Sequence, residues 1–402
     1  MGYDVAAVRE HFPALRSGTA HFDGPGGTQV PDVVGQAVAE TLTASIANRG
    51  RVTAAERRAD DTVLAARAAM GDLLGVDPGA VVFGRSATAL GFDVARTLAA
   101  GWGPGDEVVV TRLDHDANIR PWVLAAEAAG ATVRWAGFDR DTAELTAEHV
   151  AEVLSERTRL VAVTGASNLV GTRPPLEAIG QLAHAAGALF AVDGVHLTAH
   201  VPVDVPAIGA DLYTCSPYKF LGPHLGALTG RAELLEQLHP AKLLPSSDAV
   251  PERFELGTLP YELLAGTTAA VDFLAGLGAG AEAGGSRRER LVASLTAVEE
   301  HEDGLRERLE EGLAALPGVT LRSRAARRTP TLLLTFDRHE PAAVYRHLAE
   351  RGVNAPAGHF YALEASRWLG LGDTGGLRVG LAPYTDDSDV DRLLAGLEEV
   401  LG

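Results

Sequence analysis

The residues best equipped for chemistry lie between 190 and 226, where an acid and an amine each follow an apolar run. Leu189-Phe190-Ala191-Val192 ends in Asp193, and Leu212-Tyr213-Thr214-Cys215-Ser216 leads through Pro217 and Tyr218 to Lys219. Both runs read as strands, so both groups fall at strand ends. A lysine that can form an imine and a carboxylate that keeps a pyridine nitrogen protonated are the pair required by pyridoxal phosphate (PLP), whose ring withdraws electrons from a substrate carbanion. Lys219 and Lys242 are the only lysines among 35 basic residues, so this chain otherwise chooses arginine for its cations. A guanidinium is effectively never deprotonated and cannot form that imine. A lone loop lysine is more often a plain surface residue; its acid partner and the phosphate signals favour the chemical reading.

A phosphate needs its own cradle. The apolar run Val81-Val82-Phe83 turns through Gly84-Arg85 into Ser86-Ala87-Thr88. Small hydroxyl residues at a helix start leave backbone amides and hydroxyls aimed at one spot, a ready anion site. Ordinary N-capping by Ser86 or Thr88 is the plainer alternative. Polar groups also follow successive strand signals: His115, Asn168, and Asp193 with His196. In parallel sheets ligands sit beyond these carboxyl ends. Upstream, Phe22-Asp23-Gly24-Pro25-Gly26-Gly27 is a tight turn whose backbone can approach a ligand closely, or a simple connection.

The elements that must position these groups alternate. Strand signals at 107–111, 132–135, 160–164 and 188–192 are separated by helical patterns from 118, near 147–154 and from 176, which predicts an α/β fold with a mostly parallel sheet covered by helices. Earlier helices are expected after Asp4, from Pro31 and over 53–74. A glycine-rich run at 279–286 is the expected joint between a large domain, 15–278, and a smaller α+β domain made of 1–14 and 287–402. The smaller domain is expected to hold a long charged helix, strands near 319–321, 331–336 and 377–380, and a terminal helix from 386.

Composition narrows the function. At 402 residues the chain is long enough for about two cores. A formal charge of −18 argues against nucleic-acid and anionic-membrane partners. The start lacks a basic region followed by an apolar core, and no run of about 18 apolar residues occurs, so a cytoplasmic protein is expected. One cysteine, Cys215, forbids an internal disulfide and any multi-cysteine metal site, and no metal is expected.

The order of these motifs resembles the class V aminotransferases of PLP fold type I, in particular the cysteine desulfurase and selenocysteine lyase branch, over nearly the whole chain. The resemblance is strongest to cysteine desulfurase-like proteins, through Phe22-Asp23-Gly24-Pro25-Gly26-Gly27, Val192-Asp193-Gly194-Val195-His196 and Tyr218-Lys219-Phe220-Leu221-Gly222-Pro223-His224-Leu225-Gly226. It implies that Lys219 is the Schiff-base lysine, Asp193 the partner of the pyridine nitrogen, His115 the histidine stacked on the ring, and Asn168 the neighbour of the ring hydroxyl. Ser86, Ala87, Thr88 and Ser216 match phosphate positions, with His196 and Tyr218 beside the cofactor. Gly257-Thr258 matches a pair that reaches the phosphate of a second subunit, which implies a homodimer. Arg378 matches the holder of a substrate carboxylate, with His359 and Tyr361 in the substrate loop.

Three departures bear on the reaction. Desulfurases of this branch carry a persulfide-forming cysteine in a Gly-His-His-Cys-type loop; here Gly358-His359-Phe360-Tyr361-Ala362 puts Tyr361 in its place. His196 stands where a glutamine is common, and Tyr218 where a histidine precedes the lysine. The resemblance therefore implies a PLP enzyme acting on an amino acid or amino-acid-like substrate, by C–S cleavage or another β-elimination without an enzyme persulfide. Transamination and epimerisation are the alternatives on the same scaffold. A non-catalytic PLP-binding dimer would be expected to lose Lys219 or add a DNA-binding segment. A nicotinamide dehydrogenase would need a Gly-x-Gly-x-x-Gly turn after the first strand, and the chain has none there.

Overall fold

The computed structural model describes residues 3–278 and 284–402. Of the expected joint at 279–286, residues 279–283 lie outside the described residues. In chain order the strands are β1 (Ala20–His21), β2 (Val81–Gly84), β3 (Glu107–Thr111), β4 (Thr132–Ala136), β5 (Thr158–Thr164), β6 (Leu189–Asp193), β7 (Leu212–Cys215) and β8 (Gly226–Gly230). Then follow β9 (Val319–Leu321), β10 (Thr331–Phe336), β11 (Val353–Asn354), β12 (Ala357–Gly358) and β13 (Gly376–Gly380).

A seven-stranded sheet in the order β2-β8-β7-β6-β5-β3-β4 forms the centre of the larger layer. The run from β7 to β4 is parallel, as the alternation of strands and helices predicts. Only β8 runs antiparallel to both its neighbours. It is absent from the sequence expectation because Gly226-Ala227-Leu228-Thr229-Gly230 is short and bounded by glycine, a weak strand signal. Alternate side chains of the central strands bury on opposite faces: Val109, Val161, Val163, Phe190 and Val192 on one, Val108, Val110, Leu160, Ala162 and Ala191 on the other. At roughly 1.5–3 kcal/mol for each fully buried large aliphatic side chain, this two-sided burial fixes the register that aligns the strand ends.

Two features hold the edge of this sheet near β2. The helix Ala54–Leu74 starts in a capping box, Thr53 with Glu56, and buries Arg67. Arg67 grips the Glu255 carboxylate at 2.8 and 3.0 Å and the Val81 carbonyl, while Glu255 accepts the Phe83 amide at 2.9 Å. The segment around 255 is thereby pinned to the strand that leads into Ser86.

The second sheet is antiparallel, in the order β12-β13-β10-β9. It packs on Leu305, Leu309 and Leu313 of the helix Arg287–Ala314 and on Val390, Leu393 and Leu397 of the helix Asp387–Leu401. Ala20 and Phe22, which the sequence reading assigned to the large domain, also pack in this cluster, and β1 pairs with β11. No helix among the described residues is long and apolar enough to cross a membrane.

Candidate active site

The carboxyl ends of β3, β5, β6 and β7 open on one cavity. Its walls carry His115, Asn168, Asp193, His196, Ser216, Tyr218 and Lys219, together with Ser86, Ala87 and Thr88 at a helix start. Each arrives there because the parallel strands end in register: Thr164 pairs with Asp193, and Asp193 with Thr214. An outer chamber shares His115, Asn168, Tyr218 and Lys219 and adds Asp23, Phe360, Tyr361 and Arg378.

Lys219 sits in a short turn of helix, Pro217–Lys219, after β7. Its Nζ donates to the Pro25 carbonyl at 2.5 Å and lies 4.7 Å from the centroid of the Tyr218 ring. Burial, and then the nearby Arg378 charge, push this amine down to about 7 from its ordinary 10.5. The neutral, nucleophilic form is therefore accessible near neutral pH. Tyr218 is in turn stacked flat on His224, with centroids 4.7 Å apart and planes inclined by 7°.

Asp193 ends β6 and accepts the Val195 amide at 2.9 Å. Burial pushes its carboxyl up to about 6, while the Val195 amide and Lys219 pull the other way. A carboxylate in that position gains from a cationic N–H partner. His115 accepts the Ala117 amide through Nδ1 at 3.0 Å, which places the proton of the neutral ring on Nε2. Burial and then Lys219 push the imidazole down to about 4, so the ring is neutral at physiological pH.

The helix Ala87–Ala99 begins beside these groups. Ser86 Oγ caps it by accepting from the Ala89 amide at 3.1 Å, so both the capping and the anion-site readings of this junction apply. The first-turn amides of Ala87 and Thr88 have no helical partner. Strand β8 passes so close that a Cβ on Gly226 would lie 2.2 Å from the Ser86 carbonyl carbon. Glycine there lets the helix start reach the cavity.

Two residues that line this space carry buried polar atoms without partners. Asn168 donates to the Phe360 carbonyl at 2.9 Å, but its Oδ1 is unsatisfied. His196 binds Thr329 and Thr331 through Nε2 at 2.9 and 3.0 Å, leaving Nδ1 without a partner. An unmade bond on a buried polar atom costs about 1–3 kcal/mol, so these atoms fit a polar ligand. With an amine, a buried acid and a helix start, the set matches the aldehyde, ring nitrogen, ring hydroxyl and phosphate of PLP.

The structure does not bring every expected residue here. Gly257 and Thr258 are exposed on a separate loop, with nothing within 4 Å of a Cβ built on Gly257. His359 lines neither chamber, although Tyr361 beside it lies over His115. Arg378 is buried at 2% exposure and is bonded to Asp23 at 2.5 Å and to the Asn168 carbonyl at 3.2 Å. Among the cavity residues that were not singled out from the sequence are Asp23, Pro25, Asn118 and Trp122. The glycine-rich turn was a signal for the first two. Asn118 and Trp122 carry none, being one helical turn apart and bonded to each other at 3.1 Å, as many helix residues are.

A family model described as Aminotransferase class-V matches residues 20–393. An uncharacterized protein of Mycobacterium tuberculosis is 35% identical over 399 residues, covering 99% of this chain and 99% of that protein. A probable cysteine desulfurase of Mycolicibacterium paratuberculosis is 32% identical over 422 residues, covering 99% of this chain and 58% of that protein. Among solved structures, the cysteine desulfurase CsdA of Escherichia coli, in its S-sulfonic acid form, superposes with a TM-score of 0.86 at 28% identity, covering 100% of each chain.

Proposed function

Because the chain belongs to the class V aminotransferase family and has the fold type I architecture of PLP-dependent enzymes, we propose that it cleaves a C–S bond, or performs another β-elimination, on an amino acid or amino-acid-like substrate, without an enzyme persulfide. When bound, PLP supplies the electron sink that stabilises negative charge at the substrate α-carbon. Lys219 Nζ would hold the cofactor and is the base available to move the α-proton. Asp193 would keep a proton on the ring nitrogen, and the neutral His115 ring would lie against the cofactor. Asn168, His196 and Tyr218 would contact its polar substituents. The Ala87 and Thr88 amides, Ser86 and Ser216 would receive the phosphate. Arg378 receives the substrate carboxylate, and Tyr361 and His359 belong to the substrate loop.

The observation that carries the absence of a persulfide is Cys215. It is the one cysteine of the chain, it is 0% exposed in β7, and burial, then Asp193, push its thiol well above its ordinary value. A sulfur carrier must be a reachable thiolate. Tyr361, at 71% exposure, occupies the accessible position instead. A substrate sulfur would leave directly as a small molecule: with cysteine, one water is consumed and hydrogen sulfide, ammonia and a 2-oxo acid are released.

We also propose a homodimer, in which Gly257 and Thr258 reach the phosphate of the second copy. Supporting it, Leu256, next to Gly257, is 60% exposed, and Leu243 and Leu244 are 69% and 97% exposed, apolar side chains that a second subunit would cover.

The test is to screen the PLP-loaded protein against amino acids by visible absorbance, assaying sulfide and 2-oxo acid with sulfur-containing substrates. Spectral change with sulfide release that survives Cys215→Ser is expected. Amino-group transfer to a 2-oxo acid without elimination would replace this reading with transamination.

A further inference from the structure

We propose that Asp23 is a specificity-determining residue, a resident carboxylate that shares Arg378 with the substrate and so selects zwitterionic amino acids over plain carboxylates. This rests on the reading that Arg378 receives a substrate carboxylate.

Arg378 is not waiting free. Its Nη2 donates to Asp23 Oδ1 at 2.5 Å, its Nη1 donates to the Asn168 carbonyl at 3.2 Å, and its planar face covers the Phe360 ring at 3.7 Å. Nε is the one guanidinium nitrogen that is buried without a partner. A carboxylate that makes two parallel bonds to a guanidinium needs two adjacent N–H groups. Here it must use Nε and either displace Asp23 from Nη2 or sit beside it.

The pair is anchored in the fold. The turn that bears Asp23 is held to β13, the strand that bears Arg378: Gly380 donates to the Phe22 carbonyl at 2.8 Å, and Asp23 bridges Gly380. The turn also leaves room for the carboxylate to fold back over it, because a Cβ on Gly26 would lie 2.5 Å from Asp23 Oδ2 and 2.6 Å from Oδ1. That backbone contact keeps the two side chains within reach of each other.

Asp23 is also open to a ligand. Its side chain is 35% exposed, and it lines the chamber that contains Lys219. An incoming anion meets a like charge at its binding arginine, which costs it affinity. An amino acid brings an ammonium with its carboxylate, and that cation offsets the repulsion. The site therefore discriminates against acetate-like anions and 2-oxo acids while it accepts amino acids.

Ligand-observed NMR titration of the cofactor-loaded protein with acetate and with glycine tests this. Asp23→Asn keeps the shape and removes the charge. It should tighten acetate binding about tenfold and glycine binding by less, while Arg378→Lys should weaken both. Acetate affinity unchanged or lowered in Asp23→Asn, with Arg378→Lys weakening both ligands, overturns the role of Asp23 and leaves the carboxylate site standing. Arg378→Lys without effect on either ligand overturns both. If Asp23→Asn does not fold, Asp23→Ser carries the same expectations.

Discussion

The imidazole of His115 and the ring of Tyr361 lie with centroids 5.5 Å apart and planes inclined by 32°. The contact is held by the backbone, since the Asp116 amide donates to the Tyr361 carbonyl at 2.8 Å. Phe360 and Tyr361 both have left-handed φ, 50° and 60°, a conformation that costs non-glycine residues about 1–2 kcal/mol each. The surrounding contacts offset that strain: the Asn168 amide on the Phe360 carbonyl and Arg378 on the Phe360 ring. The loop is thereby fixed across the mouth of the cavity, with Tyr361 as its exposed wall.

Truncating that wall separates binding from chemistry. Tyr361→Ala should raise KM for an amino-acid substrate several-fold and change kcat by less, because the side chain touches the mouth and not Lys219. A fall in kcat with KM unchanged would make Tyr361 an acid or base in the reaction. Tyr361→Phe, which removes only the hydroxyl, should behave as the wild type.

The thiol prediction needs no substrate. Cys215 is buried in β7 and its thiol is held neutral, so native protein should give no reaction with a colorimetric disulfide reagent over minutes, and one thiol per chain after unfolding. Rapid labelling of the native protein would show a reachable thiolate and reopen the persulfide route.

How far the sequence could be read depended on where each signal was local. Lys219, Asp193 and the Ser86 helix start announce themselves, because each follows an apolar run that a parallel sheet must bury. Strand β8 did not, since only Ala227 and Leu228 of its glycine-bounded run are apolar core residues, and its place in the sheet comes from pairing with β2 and β7. The Asp23–Arg378 pair spans 355 positions and was invisible for the same reason. Asp114 carries no local signal, because its importance comes from complete burial, which no local pattern of charge reveals.

The two lysines differ enough for the cofactor site to be checked directly. Lys242 is paired with Asp248 at 2.9 Å and bonded to the Ser246 carbonyl at 2.8 Å, while Lys219 faces the cavity with its amine lowered to about 7. Borohydride reduction of the PLP-loaded protein should leave the label on the Lys219 peptide alone. The rate of cofactor attachment to apoprotein should rise through about pH 7, the pKa at which this buried amine loses its proton, and level off above it. A rise centred near 10 would mean that the amine is solvated, and label on Lys242 would move the site.

Asp114 supplies a prediction about stability. It is fully buried beneath the site, bonded by the Thr111 hydroxyl at Oδ2 and by the Asn118 amide at Oδ1, the latter at 2.7 Å. Burial, far more than the nearby Asp193, pushes its carboxyl up to about 8, against about 4 for an unfolded aspartate. Between those values the folded protein binds a proton that the unfolded chain does not. The contribution of the protonated carboxyl is thus fully present below about pH 4 and is lost as pH rises through about 8. Asp114→Asn keeps the size, accepts from Asn118 through its oxygen, can donate to the Thr111 hydroxyl oxygen through its NH2 as a protonated carboxyl would, and does not titrate. The wild type should therefore lose Tm relative to the variant as pH rises from about 4 to about 8, by on the order of 5 °C across the window. Melting curves at stepped pH measure that difference, and a gap that stays constant would place an ionised carboxylate at Asp114 throughout.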